Sequence, residues 1–359
     1  CCHKGDCLVI DARHITETSI PETYVTAMRS SIVVLSALLG RMGDGRSCYP
    51  GGCLIGARPI DLHLMALQAL GAEIKEHDGL IEARCRDAQG LKGTEIHLPY
   101  PSVGATEQAI LASVLAKEVT VIHGAAKEPE ISQLCRFLNN MGAVICGMGT
   151  DHLMIQGVEE LHDSSFRVEG DRIVAGTYAA AVMAAMGSIT LKEVRAAELE
   201  LPLEMLKRSG ASIQKDSCCR QIRIEMKKRP LPLDIKTGPY PEFPTDLQSP
   251  YMAFLASGQG TSTIVEQVFE GRFATAKALV QMGAAVETEG QRAVIKGSYP
   301  LKGASVYASD LRGGAALAVA ALAAEGETLI NDCQHIERGY EDICRDMAAL
   351  GADIRWLDK

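Results

Sequence analysis

One short pattern returns five times in this chain. An apolar or small residue is followed by Gly-Ala, one variable position, and Ile or Val. The copies are Leu70-Gly71-Ala72-Glu73-Ile74, Met141-Gly142-Ala143-Val144-Ile145, Ser209-Gly210-Ala211-Ser212-Ile213, Met282-Gly283-Ala284-Ala285-Val286 and Leu350-Gly351-Ala352-Asp353-Ile354. Successive glycines stand 71, 68, 73 and 68 residues apart. So steady a period makes the chain an array of like modules. Each copy follows one grammar. An amphipathic run ends at the glycine, which suits the left-handed position just past a helix. Two β-branched strands joined by a short turn follow, as in Gly79–Cys85 and Gln291–Gly297. Next comes a helix rich in small residues, such as Gly176–Gly187 or Gly313–Gly326. A further strand, such as Val119–His123 or Ile189–Glu193, leads through a polar loop into the next amphipathic helix.

The register also predicts an earlier module. Gly79–Arg84 matches Cys7–Arg13, with Glu82 opposite Asp11, and the shift of 71 puts the partner of Gly71 just ahead of Cys1. Six units therefore fit the pattern, the first lacking about 60 residues of its N-terminal part. The expected fold class is α/β, with two domains of three units each: 1–169 and 170–359. The small-residue helices are expected inside, where short side chains allow close packing. An open solenoid is the competing arrangement, but it usually has shorter units and distinct end caps, and neither is visible.

A chain of 359 residues can bury two cores. Only 4% of residues are aromatic, so those cores are expected to be built from Ala, Val, Ile, Leu and Met. A formal net charge of −9 argues against a nucleic-acid partner. It leaves room for a locally basic site for anionic small molecules. No run of uncharged apolar residues is long enough to span a membrane, and no signal peptide is visible. Twelve cysteines stand at 1, 2, 7, 48, 53, 85, 135, 146, 218, 219, 333 and 344. They form no CxxC pair and no Cys/His zinc spacing. We expect free thiols in a reducing cytoplasm, most of them buried as small hydrophobes.

Equivalent loops of a repeat protein cluster in space. The strand-to-helix loops carry Arg58, Lys127, Arg195, Arg272 and Arg338, and the entrances to the small-residue helices carry Arg29, Ser102, Arg172, Asp246, Asp310 and Arg312. Arginines beside helix N-termini suit phosphate and carboxylate oxygens. The plainer reading is that each pairs with a neighbouring surface acid, and for Arg195 and Arg312 the two readings are evenly matched. In Tyr49–His63, "YPGGCLIGARPIDLH", Cys53 lies between glycines, five residues before Arg58 and ahead of a helix whose apolar face is Ile60, Leu64 and Leu67. Both features lower a thiol pKa, although inert filling stays open. Pro59 suits the first turn of that helix. Asp246 in "YPEFPTDLQ" is either a general base or an acid favouring a helix dipole, with Thr245 as the expected cap.

At these residues a family becomes recognisable. "PGGCLIGARPIDLHLMALQALGAEI" closely resembles the UDP-N-acetylglucosamine 1-carboxyvinyltransferases, the enolpyruvyl transferases that open peptidoglycan synthesis. So do "MRSSI", "PSVGAT", "AAKEPEI", "FPTDLQ", "SDLRGG" and "HIERGYE", in order along essentially the whole chain. The resemblance implies the two-domain inside-out α/β barrel of the enolpyruvyl transferase fold. It also implies transfer of the enolpyruvyl group of phosphoenolpyruvate to the 3′-hydroxyl of UDP-N-acetylglucosamine, through a tetrahedral ketal, with no metal or organic cofactor. By position, Cys53 matches the cysteine that protonates the enolpyruvyl methylene and can bond to its C2, which makes the family a target for epoxide inhibitors such as fosfomycin. Asp246 matches the carboxylate at the 3′-hydroxyl. Arg58 and Arg338 match residues that bind phosphoenolpyruvate.

The resemblance assigns Arg29, the run Arg58, Pro59, Ile60, Asp61 and Leu62, the run Ser102, Val103 and Gly104, Asp246 and Val268 to the UDP-sugar. Arg172 and Asp310 to Arg312 match residues around the interdomain cleft, over which domain closure would bring the Cys53 loop. The expected partners are the two small-molecule substrates, with no nucleic acid and no membrane. Three departures stand out. The family's Gly-Ala-Lys-Asn-type stretch, whose lysine binds phosphoenolpyruvate and whose asparagine binds the sugar, has no counterpart here and would fall in the module expected upstream. Tyr100 stands where some members carry lysine, and Gly271 where some carry asparagine; both read as tolerable variation. The shikimate-pathway enolpyruvyl transferase shares the fold but lacks the cysteine loop. A truncated or inactive paralogue that binds UDP-sugar without turnover is the alternative from another class.

Overall fold

The computed structural model describes residues 1–51, 55–56 and 59–357. The five repeat glycines all sit at φ between 83° and 107°, where a side chain would be strained. Each glycine N–H donates to the carbonyl three residues back, at 2.9–3.0 Å. In the last four copies the following alanine N–H donates to the carbonyl of Leu138, Leu206, Leu279 or Met347, at 3.0–3.1 Å. This pair of bonds is the Schellman stop, which satisfies the orphan carbonyls of a helix end. Gly-Ala is thus a stop and a turn: the glycine reverses the backbone and the alanine begins the next strand or loop.

The helices are α1 (Glu22–Ala27), α2 (Val34–Met42), α3 (Asp61–Ala69), α4 (Val103–Ser113), α5 (Pro129–Asn140), α6 (Arg172–Ala185), α7 (Glu200–Arg208), α8 (Gln248–Ala256), α9 (Thr275–Gln281), α10 (Leu311–Ala321) and α11 (Ile343–Ala349). The chain forms two compact units: Cys1–Gly52, Ile60–Ala126 and Leu134–Ser165 make the first, and Cys53–Pro59, Lys127–Gln133 and Phe166–Lys359 the second.

In the first unit, β1 (Cys2–Lys4) pairs with β2 (Cys7–Val9) as a hairpin. A three-stranded antiparallel sheet has β3 (Asp44–Cys48) against β5 (Leu80–Cys85), with β4 (Ala72–His77) on the other side of β5. A mixed sheet follows in the order β6 (Glu95–His97), β7 (Val119–His123), β9 (His152–Gln156), β8 (Val144–Cys146), with β6 and β7 parallel. The second unit repeats both patterns. Strand β10 (Ser188–Lys192) pairs with β12 (Gln221–Glu225), which pairs with β11 (Ser212–Asp216). The order β13 (Asp234–Lys236), β14 (Thr261–Val265), β16 (Arg292–Lys296), β15 (Ala285–Glu289) then mirrors the mixed sheet, again with its first pair parallel. Two short parallel pairs complete it: β17 (Leu301–Lys302) with β19 (Ala324–Glu325), and β18 (Ser305–Tyr307) with β20 (Leu329–Asn331).

Helices α6, α8 and α10 pack on one another in the second unit and are buried over nearly their whole length. Small residues permit this: a Cβ on Gly314 would lie 2.7 Å from Ile336, and one on Gly176 2.6 Å from Leu247. In the first unit α2 and α3 pack against α4, whose Ala105, Ala109 and Ala112 are fully buried. Helices inside and sheets outside is the arrangement expected from the small-residue runs.

Three local expectations need correction. Pro59 precedes Ile60, the N-cap of α3, so it lies outside the first turn. The apolar face of α3 is as expected, with Ile60, Leu64 and Leu67 buried. Among the described cysteines only Cys135 and Cys344 are buried; Cys48, Cys85 and Cys333 are half-buried and Cys1, Cys2, Cys7, Cys146, Cys218 and Cys219 exposed. Strand geometry explains Cys146: it follows buried Ile145 and so points to the opposite face. No disulfide joins any described cysteine. Thr245 caps no helix; its hydroxyl donates to Glu266 instead, at 3.0 Å.

Candidate active site

Several of the predicted residues stand where helices begin. In the first unit Arg29 opens the 3-10 turn Arg29–Val33 that runs into α2. Ser102 is the N-cap of α4, its Oγ accepting from the Ala105 N–H at 3.3 Å. Val103 and Gly104 form the first turn. A Cβ on Gly104 would lie 2.6 Å from His63 Nε2, so only glycine lets α3 approach there. Ile60 is buried, Leu62 half-buried, and Asp61 is the first, exposed residue of α3. Tyr100 is exposed. Cys53 and Arg58 lie outside the described residues.

The second unit holds a dense cluster of charges. Asp171 caps α6 by accepting from the N–H groups of Ile173 and Val174, and Arg172 is the first helical residue. Its guanidinium is buried, donates to Glu130 at 2.9 and 3.3 Å, and lies 5.6 Å from the Tyr240 ring centre. Asp310 caps α10 by accepting from the N–H groups of Arg312 and Gly313, both at 3.0 Å.

Asp246 occupies the 3-10 turn Thr245–Leu247 that leads into α8. Arg272 donates to one of its oxygens, and Arg312 reaches the other at 3.4 Å. Arg272 also lies 3.7 Å from Asp310, with only 4% of its side chain exposed. Tyr340 Oη meets Thr177 Oγ1 at 2.8 Å and accepts from Arg312 Nη1 at 3.4 Å. Burial raises the pKa of Asp246, but the Arg272 and Arg312 guanidiniums outweigh it and hold the carboxyl below the usual range. The group is a persistent anion and a weak base while both arginines face it.

The arginines differ in their surroundings. Arg195 pairs with Glu169 at 2.8 Å in an exposed position, which is the surface reading. Arg272 is buried and Arg312 half-buried, and the two share the Asp246 carboxylate. Arg338 ends the 3-10 helix Cys333–Arg338 and is exposed.

Several organising residues were not singled out from the sequence. Glu266 is fully buried. It accepts from the N–H groups of Val268 and Phe269 at 2.8 and 3.1 Å and from Thr245, tying the Val268 loop to the turn of Asp246. An acid directly after the apolar strand β14 was the available signal. Tyr340 and Glu130 carried none. At Gly271 the backbone is closely approached. Its N–H donates to the Ile55 carbonyl at 2.9 Å, and a Cβ would lie 2.8 Å from the Ile55 carbonyl carbon. Asparagine does not fit there unless Ile55 moves, so this variation carries a constraint.

The EPSP synthase (3-phosphoshikimate 1-carboxyvinyltransferase) family profile matches residues 3–347. A solved structure of similar fold is the enolpyruvyl transferase NikO from Streptomyces tendae, with a TM-score of 0.83 at 24% identity over 94% of this chain and 80% of that one. EPSP synthase from Acinetobacter baumannii follows with a TM-score of 0.67 at 18% identity, over 89% and 76%. The chain belongs to the EPSP synthase family of enolpyruvyl transferases, whose inside-out α/β fold it shares. Within that family it is 46% identical to UDP-N-acetylglucosamine 1-carboxyvinyltransferase 2 of Caldanaerobacter subterraneus subsp. tengcongensis, over 98% of this chain and 83% of that protein. It is likewise 46% identical to the UDP-N-acetylglucosamine 1-carboxyvinyltransferase of Zymomonas mobilis, over 98% and 82%.

Proposed function

We propose that this chain transfers the enolpyruvyl group of phosphoenolpyruvate to the 3′-hydroxyl of UDP-N-acetylglucosamine and releases phosphate. The observation that carries the reading is Asp246, held at the head of an inner helix between buried Arg272 and half-buried Arg312, in a chain with relatives of that activity. In the addition step a proton goes to the methylene carbon of phosphoenolpyruvate and the 3′-oxygen bonds to C2, giving a tetrahedral ketal. In the elimination step a methyl proton leaves, the double bond reforms, and phosphate departs. Cys53 delivers the methyl proton and Asp246 takes the hydroxyl proton. Asp246 gains basicity when an anionic substrate draws Arg312 away from it, because the guanidinium is what depresses its pKa. Arg58 and Arg338 bind the phosphate and carboxylate of phosphoenolpyruvate. Arg29, the segment from Pro59 to Leu62, the Ser102–Gly104 turn and Val268 bind the UDP-sugar, and Arg172 and Asp310 support the charged cluster. No metal or cofactor is required.

By the same reading the enzyme works in the cytoplasm, at the first committed step of peptidoglycan synthesis. Its loss would disturb cell shape and division, and fosfomycin would alkylate Cys53. Intact-mass spectrometry after addition of both substrates tests the assignment. A phosphoenolpyruvate-derived adduct mapping to Cys53, absent from Cys53→Ser, is expected. Full turnover by Cys53→Ser with no adduct in the parent protein would overturn the role given to the thiol.

A further inference from the structure

On the outer face of the mixed sheet of the first unit, three histidines form a row across adjacent strands. His97 on β6 is the register partner of His123 on β7, and His123 is the register partner of His152 on β9. Residues opposite one another in a sheet project from the same face. Glu95 is two residues before His97 and so joins that face. The His97 and His123 rings stack with centroids 4.4 Å apart, and His152 meets His123 edge-on at 5.0 Å. Glu95 Oε2 lies 3.6 Å from His97 Nε2 and 3.8 Å from His123 Nε2. The donor atoms of Glu95, His97 and His123 all lie within 4.8 Å of one another.

These distances are too long for good hydrogen bonds, but they suit a shared ion. Bonds of about 2.1 Å in a tetrahedron put ligand atoms about 3.4 Å apart. His123 Nε2 is buried and has no hydrogen-bond partner, an arrangement that usually costs stability. Asp151 Oδ1 contacts His152 Nδ1 at 2.7 Å, which fixes the ring that in turn braces His123. We propose that Glu95, His97 and His123 form a binding site for a divalent transition-metal ion of the zinc, nickel or cobalt type. Two imidazoles and one carboxylate select such ions over magnesium or calcium, which prefer all-oxygen shells. The ligands come from two strands, so the ion would clip the three-residue strand β6 to β7. No step of the proposed reaction involves it.

Cobalt(II) titration of the full chain tests the site, because its visible spectrum separates imidazole and carboxylate ligands from thiolates. One equivalent is expected to give weak d–d bands without a thiolate charge-transfer band. The double substitution His97→Gln/His123→Gln should weaken this binding at least tenfold while leaving the melting temperature without metal unchanged. Cys218→Ser/Cys219→Ser should leave the bands intact. Unchanged binding in the double-histidine variant would overturn the proposal, as would bands that vanish with the two cysteines.

Discussion

Asp246 shows how one carboxylate can be kept charged and yet restrained. Replacing it with Asn is expected to lower kcat by about 10²- to 10⁴-fold, as removal of a general base does, with a smaller change in KM; steady-state kinetics checks this. Its pH signature has a definite sign. The folded pKa is depressed, so the stabilisation is present above the ordinary carboxylate range and is lost as pH falls through the folded value. The melting-temperature difference between the parent and Asp246→Asn should therefore shrink in strongly acid buffer. At Cys135 and Cys344 burial prevails instead, pushing both thiols up to about 11. Neither should react with a thiol reagent at neutral pH until the protein unfolds, whereas exposed Cys218 should react at once. Much of this scale was legible beforehand: Asp246, Arg172, Asp310 and Arg312 all stand at inner-helix entrances, as the repeat register required. Glu266 and Tyr340 escaped because their roles come from hydrogen bonds to residues far along the chain, which periodicity does not encode.

At the level of elements, the Gly-Ala stop was fully readable, since only a left-handed glycine allows the turn. The same glycines separate two costs. Gly71 sits at φ 94° with open space around it, whereas Gly314 faces Ile336 with no room for a Cβ. Gly71→Ala should cost about 1–2 kcal/mol from backbone strain alone. Gly314→Ala should cost about 1–3 kcal/mol from overpacking. Chemical denaturation distinguishes the two, because a compensating Ile336→Val should rescue only the second. Gly271→Asn should force Ile55 away and lower kcat/KM with little change in melting temperature, since the contact it breaks lies at a loop end. The exposed cysteines were misread because residue type was weighed without position: Cys146 falls on the outer face of its strand, Cys218 and Cys219 lie in the turn between β11 and β12, and Cys2 and Cys7 lie on a hairpin exposed on both faces.

Across the molecule, units defined by packing do not follow the chain continuously. Lys127–Gln133 belongs to the second unit although sequence on both sides belongs to the first. The reason is electrostatic in part: Glu130 pairs with buried Arg172, and Glu128 accepts from the Tyr240 N–H at 3.2 Å. Glu130→Ala leaves a buried guanidinium without its carboxylate, a loss worth about 3–5 kcal/mol when both partners are buried and less here, where Glu130 is half exposed. Hydrogen exchange should show α6 losing protection while β4 and β5 keep theirs. The four helix ends closed by a full Schellman stop have a consequence of another kind. Each stop is completed by backbone bonds within its own segment and asks nothing of a neighbour. A gene segment encoding such a unit can be duplicated in tandem without inventing a new boundary, and every copy is then free to diverge at the opposite ends of its helices. The stops can then stay alike from copy to copy while chemistry is placed at the starts.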